Sequence, residues 1–273
     1  MRIIDPHVHV WKNDPQFPWA RERNHPREDA TPEMLLDLME KNGVEKTVIV
    51  QVIHYLWDNS YAADAIKRYP NKFMGVCRIN PEDPAAPDHL SEWTEEHGFH
   101  GVRLSPATGS DGDWFTGLLM PPIFSRAEQL GVPMLILTKA DRLLDLIPLV
   151  EQHPNLNIVI DHMADCPPDE PEKLQLLLDL ARFPQVYVKI SHTWSISKES
   201  YPWKDTHEQV KKVYHTFGGK RIMWGTDWPV CLSRATYAQT LSVVRDEMDF
   251  FTPEDREWVL GKTALQIWNF ESS

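Results

Sequence analysis

Cysteine is scarce: Cys77, Cys166 and Cys231 are the only three in 273 residues, far apart and without a CxxC pair. So sparse a set argues against a disulfide framework or a thiolate zinc site. Long apolar runs are also missing, and none approaches the roughly 20 residues that cross a bilayer. No cationic stretch leading into an apolar one opens the chain, as a secretory signal would. A soluble protein of the reducing cytoplasm is expected. Positive charge is short: 28 Lys and Arg against 40 Asp and Glu leave a formal net charge of -12. With no basic run to offset it, nucleic acid is a poor partner, because phosphates need clustered cations. No glycine-rich loop follows the first apolar run, which weakens a dinucleotide-binding sheet. No linker, repeat or low-complexity tract interrupts the chain, so residues 1–273 read as one domain.

What the sequence does contain is alternation. Short apolar runs ("RII", "KTVIVQV", "KFMGVCRI", "FHGVRL", "VPMLIL", "LNIVID", "QVYVKIS", "RIMWGTD") are each followed by helix-like segments. The first helix is marked most fully: in "TPEMLLDLMEKNG", Thr31 is the N-cap, Pro32 the first helical residue and Gly43 the stop. Strict strand–helix alternation requires parallel strands with helical crossovers. Eight such units predict a closed (β/α)8 barrel, with a doubly wound open sheet as the competitor. The irregular stretches 11–30, 105–120 and 192–205 follow strands, so in a barrel they lie at the C-terminal mouth, where active sites form.

Polar residues end several of these strands. In "RIIDPHVHVW", His7 and His9 are two apart and share a strand face, with Asp5 if the strand stays regular past Pro6. Such a pair can ligate a metal, or donate converging hydrogen bonds to a substrate oxygen; backbone-satisfied histidines are the bland alternative. His162 directly follows the sixth strand, and Asp161 alternates to the other face. Asp227 closes the eighth strand beside Trp228. Arg103 and Lys189 lie amid apolar residues, each able to pair with a buried carboxylate. His54 and His192, past strands two and seven, can reach the mouth as substrate contacts. His25, Trp57, Trp114, Trp194 and Trp228 can wall a ring-shaped ligand or simply pack. His89, His97, His100, His153, His207 and His215 fall on helices or turns away from the mouth and are assigned no role.

"DPHVHVW", "IDHMA" and "WGTDWPV", in this order on an eight-unit chain, resemble the amidohydrolase superfamily in its amidohydrolase-2 branch. "VYVKIS" and the closing "GKTALQIWNF" also fit, although Thr263-Ala264 stands where the branch more usually has Asn-Ala. The resemblance covers nearly the whole chain. It is closest to the lactonases of the 2-pyrone-4,6-dicarboxylate and fuconolactone types. Two departures matter. Many superfamily members use a strand-five histidine as a metal ligand, and here "VPMLILTKAD" offers Thr138 and Lys139 instead. The dicarboxylate type grips its substrate with several arginines; Arg103 fits one, but "SPATGSDGDW" supplies no other.

The resemblance implies a hydrolase that opens a small-molecule lactone or related cyclic ester. Asp227 would be the general base, taking a proton from the attacking water. It works better if its pocket raises its pKa. His7, His9 and His162 would polarise the carbonyl, with Arg103 nearby. Substrate contacts would come from Arg103, His54, His192 and Trp228. His7, His9, His162 and Asp227 can also hold one divalent metal ion, Zn2+ or Mn2+, and metal-free catalysis is equally compatible. Two alternatives stay open: a metal-dependent decarboxylase or hydratase of a carboxylated ring, and a barrel that binds a small molecule without catalysis.

Overall fold

The computed structural model describes residues 1–21, 25–105, 113–268 and 270. Eight strands alternate with helices: β1 (Ile4–Val8), β2 (Lys46–Val50), β3 (Phe73–Arg78), β4 (Val102–Leu104), β5 (Met134–Ile136), β6 (Ile158–Ile160), β7 (Val186–Lys189) and β8 (Ile222–Met223). All adjacent pairs are parallel and follow chain order. Just past β8 the sheet meets β1: Asp227 N donates to the His7 carbonyl at 2.9 Å, and His9 N to the Trp228 carbonyl at 2.7 Å. This is the predicted (β/α)8 barrel. Among the described residues no helix is long and apolar enough to cross a membrane.

The first helix forms as its sequence dictates. It spans Pro32–Asn42, Thr31 accepts a hydrogen bond from Met34 N, and Gly43 stops it at φ 69°. That left-handed stop suits a residue without a Cβ.

The strands alternate between two apolar layers. Ile4, Val48, Val50, Met74, Val76, Leu135, Val159, Tyr187 and Met223 fill the barrel interior. Residues of the other parity, such as Ile49, Cys77, Val102, Leu104 and Val188, pack outward against the helices. Each such buried side chain stabilises the fold by about 1.5–3 kcal/mol. Continuing the inward parity upward, Val76 leads to Arg78, Val159 to Asp161 and Tyr187 to Lys189, and Arg103 lies between outward Val102 and Leu104. The top interior layer is therefore charged where the lower ones are apolar.

Two local irregularities decide which side chains reach the mouth. The β1–β2 register slips between Asp5 and Val8, an extra residue on β1 at the Pro6–His7 step. A bulge reverses strand parity, so Asp5 does not share the face of His7 and His9. It is fully buried and turns to Thr226 instead, accepting from Thr226 Oγ1 at 2.6 Å and from Thr226 N at 3.1 Å. The second irregularity follows β6: His162, Met163, Ala164 and Asp165 all have left-handed φ, between 49° and 55°.

Candidate active site

Asp227 lies at the centre of a buried cluster. Its Oδ1 is 3.0 Å from His9 Nε2 and 3.4 Å from His7 Nε2. Its Oδ2 is 2.6 Å from His192 Nε2. The His162 ring is 4.6 Å from that of His7 and stacks on that of His192 at 3.5 Å and 3°. The strand-end residues His7, His9, His162 and Asp227 are thus brought together, as their pattern in the sequence predicted.

Strand alternation put Asp161 on the face opposite His162, and here the structure corrects it. Asp161 continues the inward parity of Val159, while the left-handed turn at His162 swings the next side chain back into the same space. Asp161 is fully buried, accepts from Arg103 Nε at 2.9 Å and forms an ion pair with Lys189 Nζ at 3.1 Å. It is the buried carboxylate that both cations were expected to find. Burial alone would push its carboxyl up, but Lys189, His7 and Arg103 hold it well below the usual range. The continuous apolar run "NIVI" could not say which parity faces inward, so sequence reasoning missed Asp161 as a site residue.

The pocket does not raise the Asp227 pKa. Burial raises it, but the His192 charge and hydrogen bond, together with the nearby His9 ring, win and hold it well below the ordinary value. His192 moves the other way: burial lowers it, yet Asp227 and Asp165 bring it up to about 9. His7 drops to about 3, mainly through burial and then the Lys189 charge, so its ring is neutral. His162 is likewise lowered, by burial and by His192.

Hydrogen bonds on the far side of each ring set what its near nitrogen offers. His9 Nδ1 donates to the Val50 carbonyl at 2.6 Å, which turns Nε2 toward Asp227. His7 Nδ1 is 2.9 Å from Lys189 Nζ and 3.4 Å from Asp161 Oδ1. With Lys189 donating, the proton sits on Nε2; with Asp161 accepting, Nε2 carries the lone pair. His162 Nδ1 pairs with Ser191 Oγ at 2.7 Å, leaving its Nε2 for the cavity. Among the described residues, the buried atoms His7 Nε2 and Asp227 Oδ1 have no hydrogen-bond partner. Two orphaned atoms of this kind are what a bound ion or substrate would satisfy. Three donor sets have ligand atoms within 4.8 Å of one another: His7, His9 and Asp227; His7, Asp161 and His162; His162, His192 and Asp227. The residues present therefore fit a divalent ion.

The remaining expected contacts divide. His192, expected to touch substrate, has both ring nitrogens on carboxylates: Nε2 on Asp227 and Nδ1 on Asp165 at 3.3 Å. Arg103 commits its Nε to Asp161. His54 sits edge-on to Trp11 and Trp19, outside the central cluster. Trp228 is 1% exposed, and its Nε1 has no hydrogen-bond partner. Trp194 presents an edge to His192 at 4.8 Å. His25 stacks on Trp19, and Trp57 lies under the Arg78 guanidinium. The side chain of Trp114 lies outside the described residues, as does most of the loop after β4.

Known proteins resemble this chain in sequence and in fold. The chain is 28% identical to an L-fucono-1,5-lactonase of Burkholderia ambifaria, over 98% of this chain and 96% of that one. Its fold matches a probable 2-pyrone-4,6-dicarboxylic acid hydrolase of Acinetobacter baumannii with citric acid bound (TM-score 0.83, 19% identity, 98% and 99% of the two chains). It also matches an amidohydrolase of Burkholderia multivorans with bound zinc (TM-score 0.81, 20% identity, 98% and 99%). The family model described as amidohydrolase aligns with residues 4–270, from the first strand to the end of the described chain, and the protein belongs to that family.

Proposed function

We propose that this chain hydrolyses a lactone or related small cyclic ester, with Asp227 as general base. The observation that carries the reading is the gathering of His7, His9 and His162 about Asp227 at the barrel mouth, with Asp227 Oδ1 lacking a hydrogen-bond partner among the described residues. The likeness to an L-fucono-1,5-lactonase over nearly the full length of both chains supports a lactone over an open-chain amide.

In this mechanism Asp227 is ionised at neutral pH, so Oδ1 accepts a proton from water as the water oxygen bonds to the lactone carbonyl. Charge then develops on the carbonyl oxygen. The Nε2 proton of His7, held there by Lys189 on Nδ1, donates to that oxygen. When the ring C–O bond breaks, Asp227 returns its proton to the departing alkoxide, and a hydroxy acid leaves. A carboxylate held so far below its usual pKa is a weak base, so activation of the electrophile is the larger demand. A divalent ion, Zn2+ or Mn2+, supplies Lewis-acid polarisation and a more acidic water when bound. His9 Nε2 and Asp227 Oδ1 would hold it, with His7 joining them when its Nδ1 proton turns to Asp161.

The test is a panel of sugar, muconate-type and pyrone lactones, screened by proton release at neutral pH with and without Zn2+ or Mn2+. Turnover of at least one lactone is expected; none at all would end the reading. Asp227→Asn should lower kcat by about 10²- to 10⁴-fold with the native circular-dichroism spectrum retained. Near-normal turnover would remove Asp227 from the base role. Metal analysis before and after chelation, set beside activity, decides between the ion-assisted and ion-free versions.

A further inference from the structure

Both ring nitrogens of His192 are hydrogen-bonded to carboxylates, whereas those of His7 stand 3.4 Å from theirs. Nε2 is 2.6 Å from Asp227 Oδ2, and Nδ1 is 3.3 Å from Asp165 Oδ1. Its ring lies flat on His162 at 3.5 Å and 3°, and Trp194 presses its edge from the side at 4.8 Å. Its backbone is left-handed, φ 67°, in a non-glycine residue. That conformation costs on the order of 1 kcal/mol and persists only where surrounding contacts enforce it. The two oxygens of Asp227 consequently differ. Oδ2 is held by His192, while Oδ1 has no hydrogen-bond partner among the described residues and faces His9 and His7.

We infer that His192 is a positioning residue for Asp227: it clamps Oδ2 and so aims Oδ1 at the space between His7 and His9 where the reacting water must sit. The inference rests on Asp227 being the base. It assigns His192 no contact with substrate. Asp165, His162 and Trp194 fix the clamp itself, which explains why an imidazole is carried on strained backbone here. A carboxylate free to rotate would present either oxygen, and small misplacements of a reacting group cost large factors in rate.

Two variants separate the clamp from other roles. His192→Phe keeps a flat ring for the stack and removes both nitrogens. His192→Gln keeps a donor at the position of Nε2. In the purified protein, His192→Phe should lower kcat on the best lactone by about 100-fold, with KM within about threefold and the native circular-dichroism spectrum retained. His192→Gln should recover most of that loss. A rise in KM with kcat kept would make His192 a substrate contact and overturn the inference. So would wild-type kcat in His192→Phe, or no recovery in His192→Gln. A second readout does not need turnover: with 15N-labelled histidine, Asp227→Asn should shift the His192 Nε2 resonance and leave that of buried His153 in place. If no lactone is opened by the wild type, the base reading fails; an unmoved His192 resonance instead removes the clamp.

Discussion

The oxygens of Asp227 show how much a site depends on the partners of single atoms. The same carboxylate is buried, which raises its pKa, and ringed by imidazoles, which lower it, and the second effect wins. The opposed histidine shifts make a prediction about stability. His192 is raised from its ordinary 6.5 to about 9. The folded state thus holds a proton the unfolded chain gives up earlier, and this contribution is fully present below pH 6.5 and lost between 6.5 and 9. His7 is lowered from 6.5 to about 3. Its contribution is present above pH 6.5 and lost as pH falls toward 3. Urea midpoints measured across pH should therefore decline on both sides of neutrality. His192→Gln should flatten the alkaline limb and His7→Asn the acid one. Unchanged limbs in these variants would show that other groups set them.

At the scale of elements, the segment after β6 is the telling one. Four consecutive non-glycine residues, His162 to Asp165, are left-handed, at about 1–2 kcal/mol each. This turn brings His162 into the cavity beside Asp161, which strand alternation alone would forbid. Ala164 is 1% exposed with φ 53°. Ala164→Gly loses a buried methyl and chain entropy but relieves the left-handed strain, so its stability should change by less than about 1 kcal/mol. Ala127, buried in the right-handed helix Met120–Leu130, has no strain to relieve. Ala127→Gly should be the more destabilised of the two by thermal unfolding; the reverse order would mean the turn is not strained. The β1 bulge is the second such device. Pro6 was visible in the sequence as the point where regularity was in question. That it reverses the face of Asp5 required the register with β2.

At the scale of the whole molecule, the barrel is closed by contacts between the two ends of the chain. Trp224 Nε1 donates to the carbonyls of Ile4 and Leu260, at 2.7 and 3.0 Å. Gly261 sits so near β1 that an added Cβ would overlap the Arg2 carbonyl oxygen. Backbone cannot yield as a flexible side chain can, and misfits in a packed core cost about 1–3 kcal/mol or more. Gly261→Ala should lower the urea midpoint clearly, whereas Gly98→Ala, with open space around it, meets only the strain of φ 72°. Equal midpoints for the two variants would show that the C-terminal segment does not brace β1. The placement of polar residues at strand ends gains its meaning only through this closure, because residues 7 and 227 become neighbours only when β8 meets β1.

Much of this protein was legible in its order of residues. Alternating apolar runs and capped helices specify parallel strands with helical crossovers, because period and caps are local properties of the chain. The HxH pair, His162 and Asp227 could be picked out because each ends an apolar run at what becomes one mouth. Tertiary structure alone decided how these groups act on one another. Asp161 turns inward and takes up both Arg103 and Lys189, Asp5 turns away behind a bulge, and His192 spends its nitrogens on carboxylates. The reason is physical: face, tautomer and pKa depend on which distant atoms arrive within about 3–4 Å, and a sequence records neighbours along the chain rather than across the barrel.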